Sequence, residues 1–337
     1  MNILFLTQSG PDLPSVRFRV LPFVERARQQ GHTADWKRIP KAFHKRIAFF
    51  LSIPKGTVII IQKKLLTGFQ LSILKNRSLA LVFDFDDALW TSHPSSSAGP
   101  RRDKSEKRDA ALLENICSKV DLVIAGNNYL RDRIKSFNPN IEIIPTPLDT
   151  DKYVPSESRL ENKKIIVGWM GTSCNLFFLP EVFKELADKM REPNLYVVSD
   201  KPLPPSIADL ADFEKWSGEA EVQQLQKMDV GLMPLTDDEY TRGKCGFKIL
   251  QYMACGAVPL ASDVGFNREI IEHGINGFLI KEQSEWGKYV NLLTVDPDLR
   301  CKMAKEARKT VVDRFSLAPL ADKMLARIET IIPKKPY

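Results

Sequence analysis

Two successive runs of strand–helix alternation constrain this chain more than any other feature. Short apolar segments rich in Ile, Val, Leu and Phe recur at Asn2–Thr7, Thr57–Gln62, Leu79–Asp84, Asp121–Ala125 and Glu142–Pro145. A second series follows at Lys163–Gly168, Asn194–Ser199, Asp229–Pro234 and Val258–Ala261. Runs this short and this apolar read as strands buried on both faces. Helical spacing lies between them, at Val16–Gln30, Asn128–Ser136, Leu179–Arg191, Glu219–Lys227 and Phe247–Ala254. Strands separated by helices and short links pair in parallel, with helices on both faces. The expectation is an α/β chain of two doubly wound, Rossmann-like domains. The polar segment Asp151–Asn162 marks the joint, giving domains over 1–152 and 153–315. Helical spacing returns over Phe315–Ile332.

A chain of 337 residues suits two such domains. Its balance, 43% hydrophobic and 27% charged, excludes collagen, global disorder and a small disulfide scaffold. No apolar run reaches the roughly 18 residues that span a bilayer. Met1–Thr7 carries no charged leader region, so no signal peptide is expected. Five cysteines, Cys117, Cys174, Cys245, Cys255 and Cys301, are odd in number and far from any CxxC spacing. That pattern points to a reducing compartment, the cytoplasm, and away from structural zinc.

The net charge is +7, and it is unevenly spread. From Lys37 to Phe83 there is no Asp or Glu, while ten cations stand there: Lys37, Arg38, Lys41, Lys45, Arg46, Lys55, Lys63, Lys64, Lys75 and Arg77. Such a stretch suits nucleic acid, an anionic lipid surface or an acidic substrate, and a solvated basic face is the plainer alternative. No nucleic-acid-binding motif accompanies it, so no nucleic-acid partner is expected. The segment Thr91–Arg108, with Ser95-Ser96-Ser97-Ala98-Gly99-Pro100, reads as a surface loop or a lid that orders on binding.

In open parallel sheets ligands bind beyond the carboxyl ends of the strands. After the first strand, Gly10 opens a turn, and Ser15 stands where it can cap the next helix. Arg17 and Arg19 then fall in the first helical turn, where the dipole disfavours cations, so they suggest an anionic ligand. A surface pair is the alternative. Asp84, Asp86 and Asp87 crowd one strand end, and their repulsion requires a partner. That partner is a metal, a hydroxyl or acid–base chemistry, and His93 lies nearby. Gly171 and Thr172 lead into a helix and can offer amides and a hydroxyl to a phosphate, though this is no Walker loop. The richest stretch is Arg242–Pro259. Lys244 and Lys248, four apart, would share a helical face and favour a bridging diphosphate. Gly246 and Phe247 open the helix to close approach, and Gln251 offers a donor and an acceptor to a ribose diol.

The stretch Gly246–Ser262, with Asn267-Arg268-Glu269-Ile270-Ile271 and Asn276-Gly277-Phe278-Leu279, resembles the donor-binding signature of group 1 retaining glycosyltransferases. These form family four in the usual classification and have the GT-B fold. Phe83–Trp90, Ala125–Leu130 and Ile144–Asp149 resemble a bacterial branch of it. The resemblance implies two Rossmann-like domains facing across a cleft, with 316–337 crossing back to the N-terminal domain. It implies a UDP- or GDP-type sugar nucleotide held by the C-terminal domain, and a glycan or lipid-linked glycan acceptor held by the N-terminal one. It implies retention of anomeric configuration by front-face displacement, no cofactor and no metal. Lys248, Lys244, Asp87 and Asp86 stand as catalytic residues. Gly10, Arg17, Arg19, Gly171, Thr172, Trp216, Gly246, Phe247, Gln251 and Glu269 stand as donor-binding residues, and His93 on the acceptor side. Glu269 has helix capping as its alternative, and Trp216 core packing. The family's two glutamates, separated by seven residues, fall here at Gly243 and Gln251, with Glu239, Asp238 or the backbone amides of Gly246 and Phe247 as stand-ins for the first. The expected role is surface-polysaccharide synthesis, with Lys37 to Arg77 resting on an anionic membrane. A nucleotide- or glycan-binding module without transfer activity, and a nucleotide-sugar epimerase, are the alternatives.

Overall fold

The computed structural model describes residues 1–156, 164–190 and 193–333. The chain forms two compact units. The first contains Met1–Pro147, Arg242–Cys245 and the chain from Leu317 onward; the second contains Leu148–Thr241 and Gly246–Ser316. This division differs from a simple cut near residue 152, because four residues from the later half of the chain join the first unit. The expected joint Asp151–Asn162 lies partly, over 157–162, outside the described residues.

In the first unit the order is β1 (Asn2–Thr7), α1 (Pro14–Arg19), α2 (Leu21–Gln29), β2 (Thr33–Arg38), α3 (Phe43–Ser52) and β3 (Thr57–Gln62). It continues with α4 (Gly68–Arg77), β4 (Ser78–Phe85), α5 (Pro100–Cys117), β5 (Leu122–Ala125), α6 (Asn128–Ile134) and β6 (Ile141–Ile143). The six strands form one parallel sheet in the order β2-β1-β3-β4-β5-β6. β3 is buried at every position, as its β-branched run requires of a central strand. One apolar layer joins α3, α4 and α5 to the sheet through Phe50, Leu71, Leu74, Leu113 and Ile116. The other covers the opposite face with Val16, Phe23 and Val24.

Two expectations are corrected here. The helix expected over Val16–Gln30 is two helices, broken at Val20 (φ −124°, ψ −59°). Pro22 supplies the cause: it has no N–H to give the Phe18 carbonyl and its ring crowds that carbonyl, so the first helix ends and Pro22 sits in the first turn of the second. The loop expected over Thr91–Arg108 is helical from Pro100 onward, with the proline in the first turn where it fits. Arg102 pairs with Glu106 one turn on, and the Glu106 carboxylate accepts the Ser92 amide at 2.8 Å.

The second unit runs β7 (Val167–Gly171), a 3-10 turn over Ser173–Phe178, α7 (Pro180–Lys189), β8 (Leu195–Ser199), β9 (Asp212–Lys215), α8 (Glu221–Gln226) and β10 (Val230–Met233). It continues with α9 (Glu239–Arg242), α10 (Phe247–Ala254), β11 (Val258–Ser262), α11 (Asn267–Ile270), β12 (Phe278–Ile280), α12 (Glu285–Val295) and α13 (Pro297–Phe315). The last residue of α9 is the first of the segment assigned to the first unit. Its parallel sheet has the order β12-β11-β10-β7-β8-β9. β7 lies later than the expected Lys163–Gly168, and Lys163 is outside the described residues. Glycines let neighbours close on this sheet. A Cβ on Gly231 would stand 2.3 Å from the Tyr252 ring, and one on Gly168 would stand 2.3 Å from Met228.

The last helix, α14 (Leu317–Thr330), belongs to the first unit. It buries Ala321, Met324, Leu325 and Ile328 in the layer that holds Phe23 and Val24. Asp322 on its outer side accepts from Arg26 at 2.6 Å and from Gln30 at 2.7 Å. Among the described residues no helix is long and apolar enough to cross a membrane.

Candidate functional site

The first unit concentrates charge at the carboxyl ends of β1, β3 and β4. Asp84 closes β4 inside the core and is 2% exposed. Arg19, also 2% exposed, donates to both its oxygens at 2.8–3.0 Å, and to the Ile144 carbonyl at 2.8 Å. Burial pushes the Asp84 carboxyl up from its ordinary range, and Arg19 draws it back. Burial would also lower the guanidinium, but Asp84 and then Asp86 hold it well above its usual value. Arg19 is thus a structural cation, which corrects its expected place on a donor ligand. Arg17 is half-buried and stacks over Phe18 at 4.4 Å. Both arginines lie in the last turn of α1, not the first, so the dipole favours them there. The N-cap is Leu13 without a side-chain bond, so Ser15 caps nothing.

The partner demanded by the acidic cluster is Lys63. It stands just past β3 in the left-handed region, with φ 57°. Its ammonium pairs with Asp86 at 3.2 Å and with Asp87. Burial opposes the charge on Lys63, yet Asp86 and Asp87 together hold its pKa well above the usual lysine value. Asp86 is correspondingly held below the carboxylate range: burial works against this, and Lys63 and then Arg19 outweigh it. Asp87 has the more open carboxylate, with its side chain 37% exposed against 13% for Asp86. His93 lies half-buried nearby in sequence, its Nδ1 bonded to Ser95. Gly10 faces open space.

Asn127 ties Arg242–Cys245 to this unit. Its side-chain oxygen caps α6 through the Leu130 amide at 2.9 Å. Its NH₂ donates to the carbonyls of Gly243 at 3.2 Å and Lys244 at 3.1 Å. Cys245 donates to the Asp86 carbonyl at 3.3 Å, and burial followed by Asp86 pushes its thiol well up. Gly243 packs directly on Ala88, where a Cβ would lie 2.5 Å from the Ala88 methyl and 2.8 Å from its amide nitrogen. No side chain fits. Lys244 precedes α10, which begins at Phe247, so it shares no helical face with Lys248. This corrects the expected lysine pair.

In the second unit the site residues gather at the end of β7 and the start of α10. Gly246 caps α10 in the left-handed conformation (φ 60°), which glycine adopts at no steric cost. A Cβ there would also strike Ile270 at 2.4 Å. Lys248 occupies the first turn and lies over the buried Trp169 ring, 5.5 Å from its centroid. A Cβ on Gly171 would meet the Lys248 chain at 2.5 Å and the Trp169 ring at 2.7 Å. Tyr252, one turn on, accepts the Met170 amide at 3.0 Å and so fixes β7 to α10. A cation at a helix N-terminus is opposed by the dipole, while an anion there is favoured by both. Next to it, Ser173 gives its amide to Asp200 at 2.6 Å and its hydroxyl at 3.2 Å. That loop's polar groups are therefore partly spent on a carboxylate instead of a phosphate. Thr172 is exposed and accepts from Asn175 at 2.8 Å.

Sequence reasoning missed Lys63, Asn127 and Glu221. Glu221 opens α8 and is 3% exposed. It accepts from Tyr153 at 2.6 Å, Trp216 Nε1 at 3.2 Å and Gln251 at 3.4 Å. Gln251 and Trp216 thereby meet on one buried carboxylate. Glu269 is exposed on α11, three residues after the N-cap residue Phe266. Asp238 is engaged by Thr236 at 2.6 Å and by the Thr241 amide at 2.9 Å.

Residues 162–294 match the family model described as Glycosyl transferases group 1. EpsD of Bacillus subtilis (strain 168) is 37% identical over 81 residues, which is 23% of this chain and 21% of EpsD. The match thus spans about a fifth of that relative's length. Anabaena HepE, solved in complex with UDP and glucose, superposes with a TM-score of 0.75 at 16% identity, covering 98% of this chain and all of HepE. Sucrose-phosphate synthase from Thermosynechococcus elongatus superposes with a TM-score of 0.80 at 13% identity, covering 98% of this chain and 99% of that one. At such identities the likeness is one of fold. Residues 162–294 thus match the glycosyl transferases group 1 model, in a chain with the two-unit GT-B fold.

Proposed function

We propose that this chain is a retaining glycosyltransferase that moves a hexose-like sugar from a nucleoside diphosphate sugar to a glycan or lipid-linked glycan. The observation that carries this reading is Lys248 at the amino end of α10, held against Trp169 and Gly171 within the matched domain. A diphosphate placed there receives the lysine charge, the helix dipole and backbone approach at Gly246 together. The UDP in the HepE complex supports a uridine donor. In the step, the bond between the anomeric carbon and the phosphate oxygen breaks and a bond to the acceptor oxygen forms. The acceptor proton passes to the departing diphosphate. Lys248 stabilises the charge that develops on that leaving group. Gln251, Trp216 and Glu221 form the nucleoside side of the site. Asp87, the more open carboxylate of the first unit's cluster, receives the acceptor hydroxyl. The role proposed is in surface-polysaccharide synthesis, at an anionic membrane face reached by the Lys37–Arg77 stretch.

A thermal-shift panel with UDP, GDP, ADP, CMP and dTDP tests the donor reading. A ligand at about 100 times its Kd stabilises by about 2.7 kcal/mol. At about 2–4 °C per kcal/mol that is a readily measured rise. We expect UDP to give it and Lys248→Ala to remove it. No shift with any nucleotide would overturn the reading. Binding of UDP without turnover of any UDP-sugar would leave a nucleotide-binding module.

A further inference from the structure

The acid-free stretch Lys37–Phe83 does not present its cations as one face. Lys63 is spent on Asp86 and Asp87, and Lys75 on Asp121. Arg46 donates to the carbonyls of Pro40 at 3.0 Å and Lys41 at 2.8 Å, and Arg77 to that of Ile53 at 2.6 Å. Exposed cations and exposed apolar side chains come together on α3 and the turns before and after it. Phe50 and Ile53 are buried in the layer beneath and pin the helix to the sheet. Phe43 and Leu51 stand outside, 59% and 53% exposed, with the half-buried Ile47 midway between them. The three follow one another at four-residue steps, so they form a single stripe about 12 Å long. Isolated apolar side chains on a surface are ordinary, but an aligned set marks a contact. Lys41 before the helix, Lys45 in its first turn and Lys55 beyond its end are all exposed. His44, Ala48 and Ser52, the other exposed residues of α3, bring no negative charge.

We propose that α3 lies along an anionic lipid bilayer, with Phe43, Ile47 and Leu51 entering among the acyl chains and Lys41, Lys45 and Lys55 meeting the headgroups. An apolar stripe bordered by lysines is the pattern of an interfacial helix, held by apolar area and by charge together. A protein partner would have to set acids against lysines at both ends of the stripe. A bilayer offers anionic headgroups at every point and needs no such register. The inference rests on the membrane part of the proposed function and names the element that makes the contact; it does not depend on sugar transfer.

The test is co-sedimentation of the full-length protein with two kinds of vesicle, phosphatidylcholine alone and equal parts phosphatidylcholine and phosphatidylglycerol. Capture is expected with the mixed vesicles only. Phe43→Ser with Leu51→Ser should weaken it by on the order of tenfold, as should Lys45→Gln with Lys55→Gln. These positions are exposed, so the variants should fold as wild type does. Orientation is read from tryptophan quenching by brominated phosphatidylcholine in the mixed vesicles. Phe43→Trp and Leu51→Trp should both add quenched emission, because the helix lies flat. Val295→Trp, at a position 78% exposed on α12 of the second unit, should not. Absence of capture would overturn the proposal, and so would capture that survives Phe43→Ser with Leu51→Ser. Equal quenching at all three positions would also overturn it. Self-association abolished by the two serines, without vesicle capture, would give the stripe to a second copy instead. Capture of a protein that turns over no UDP-sugar would sink the transfer reading and leave this surface standing. Turnover without capture would sink this surface alone.

Discussion

Replacing Arg19 by leucine is expected to destabilise the first unit by about 3–5 kcal/mol, the range for removing one partner of a buried ion pair. The variant leaves Asp84, 2% exposed, without the guanidinium that holds both its oxygens. The Ile144 carbonyl loses its donor as well. Denaturant titration followed by a probe in the first unit would measure the loss. The double replacement Arg19→Leu with Asp84→Leu should recover most of it, because no buried charge is then stranded. The single variant should also become pH-sensitive. Burial raises the Asp84 pKa above 3.8, so the folded state holds that proton more tightly than the unfolded chain does. Protonation then favours folding, and the deficit of Arg19→Leu should deepen as the pH rises above the ordinary carboxylate range. A loss well under about 1 kcal/mol, with nucleotide binding abolished instead, would return Arg19 to the ligand and refute its structural role.

Restoring the two glutamates of the group 1 signature should harm the protein. Gly243→Glu would drive a Cβ to 2.5 Å from the Ala88 methyl and 2.8 Å from its amide nitrogen. Overpacking alone costs about 1–3 kcal/mol, and burying a carboxylate adds to that. A fall in melting temperature beyond about 5 °C is expected, from about 2–4 °C per kcal/mol. Gln251→Glu would set a second carboxylate 3.4 Å from Glu221, where the amide now donates. Like charges at that range raise one of the two pKa values, so this variant should be least stable at neutral pH and recover on acidification. Both departures thus have local causes: no room at position 243, and a carboxylate already present beside position 251. Wild-type stability in Gly243→Glu would show that the Ala88 contact yields, and that the glycine stands there for another reason.

The central strands were legible because their interior residues are all apolar and buried. Asn2–Thr7 and Thr57–Gln62 are apolar runs, and β1 and β3 occupy those residues. The edge strand β2 (Thr-Ala-Asp-Trp-Lys-Arg) escaped notice, because an exposed edge is polar and breaks the apolar signal. In the site, the demand that three crowded aspartates find a partner was readable. The partners were not, since Arg19 lies 65 residues from Asp84 and Lys63 24 residues from Asp87. The same distance hid Glu221, whose bonds to Tyr153 and Gln251 span 68 and 30 residues. Chain periodicity records which face is apolar; it does not record which charges meet.

The division of the chain also bears on how the protein is made. The layer that α14 completes is laid down early, with Phe23 and Val24, while α14 itself begins at Leu317. At about 5–20 residues per second, the stretch from Pro147 to Leu317 occupies a ribosome for roughly 10–30 s. Throughout that interval the nascent first unit carries an uncovered apolar strip where Ala321, Met324, Leu325 and Ile328 will later lie. The whole second unit is translated before the first can close. A nascent chain of this kind needs shelter for its earliest-made sheet until its last helix emerges, and a stop codon just before Leu317 would leave that strip open for good.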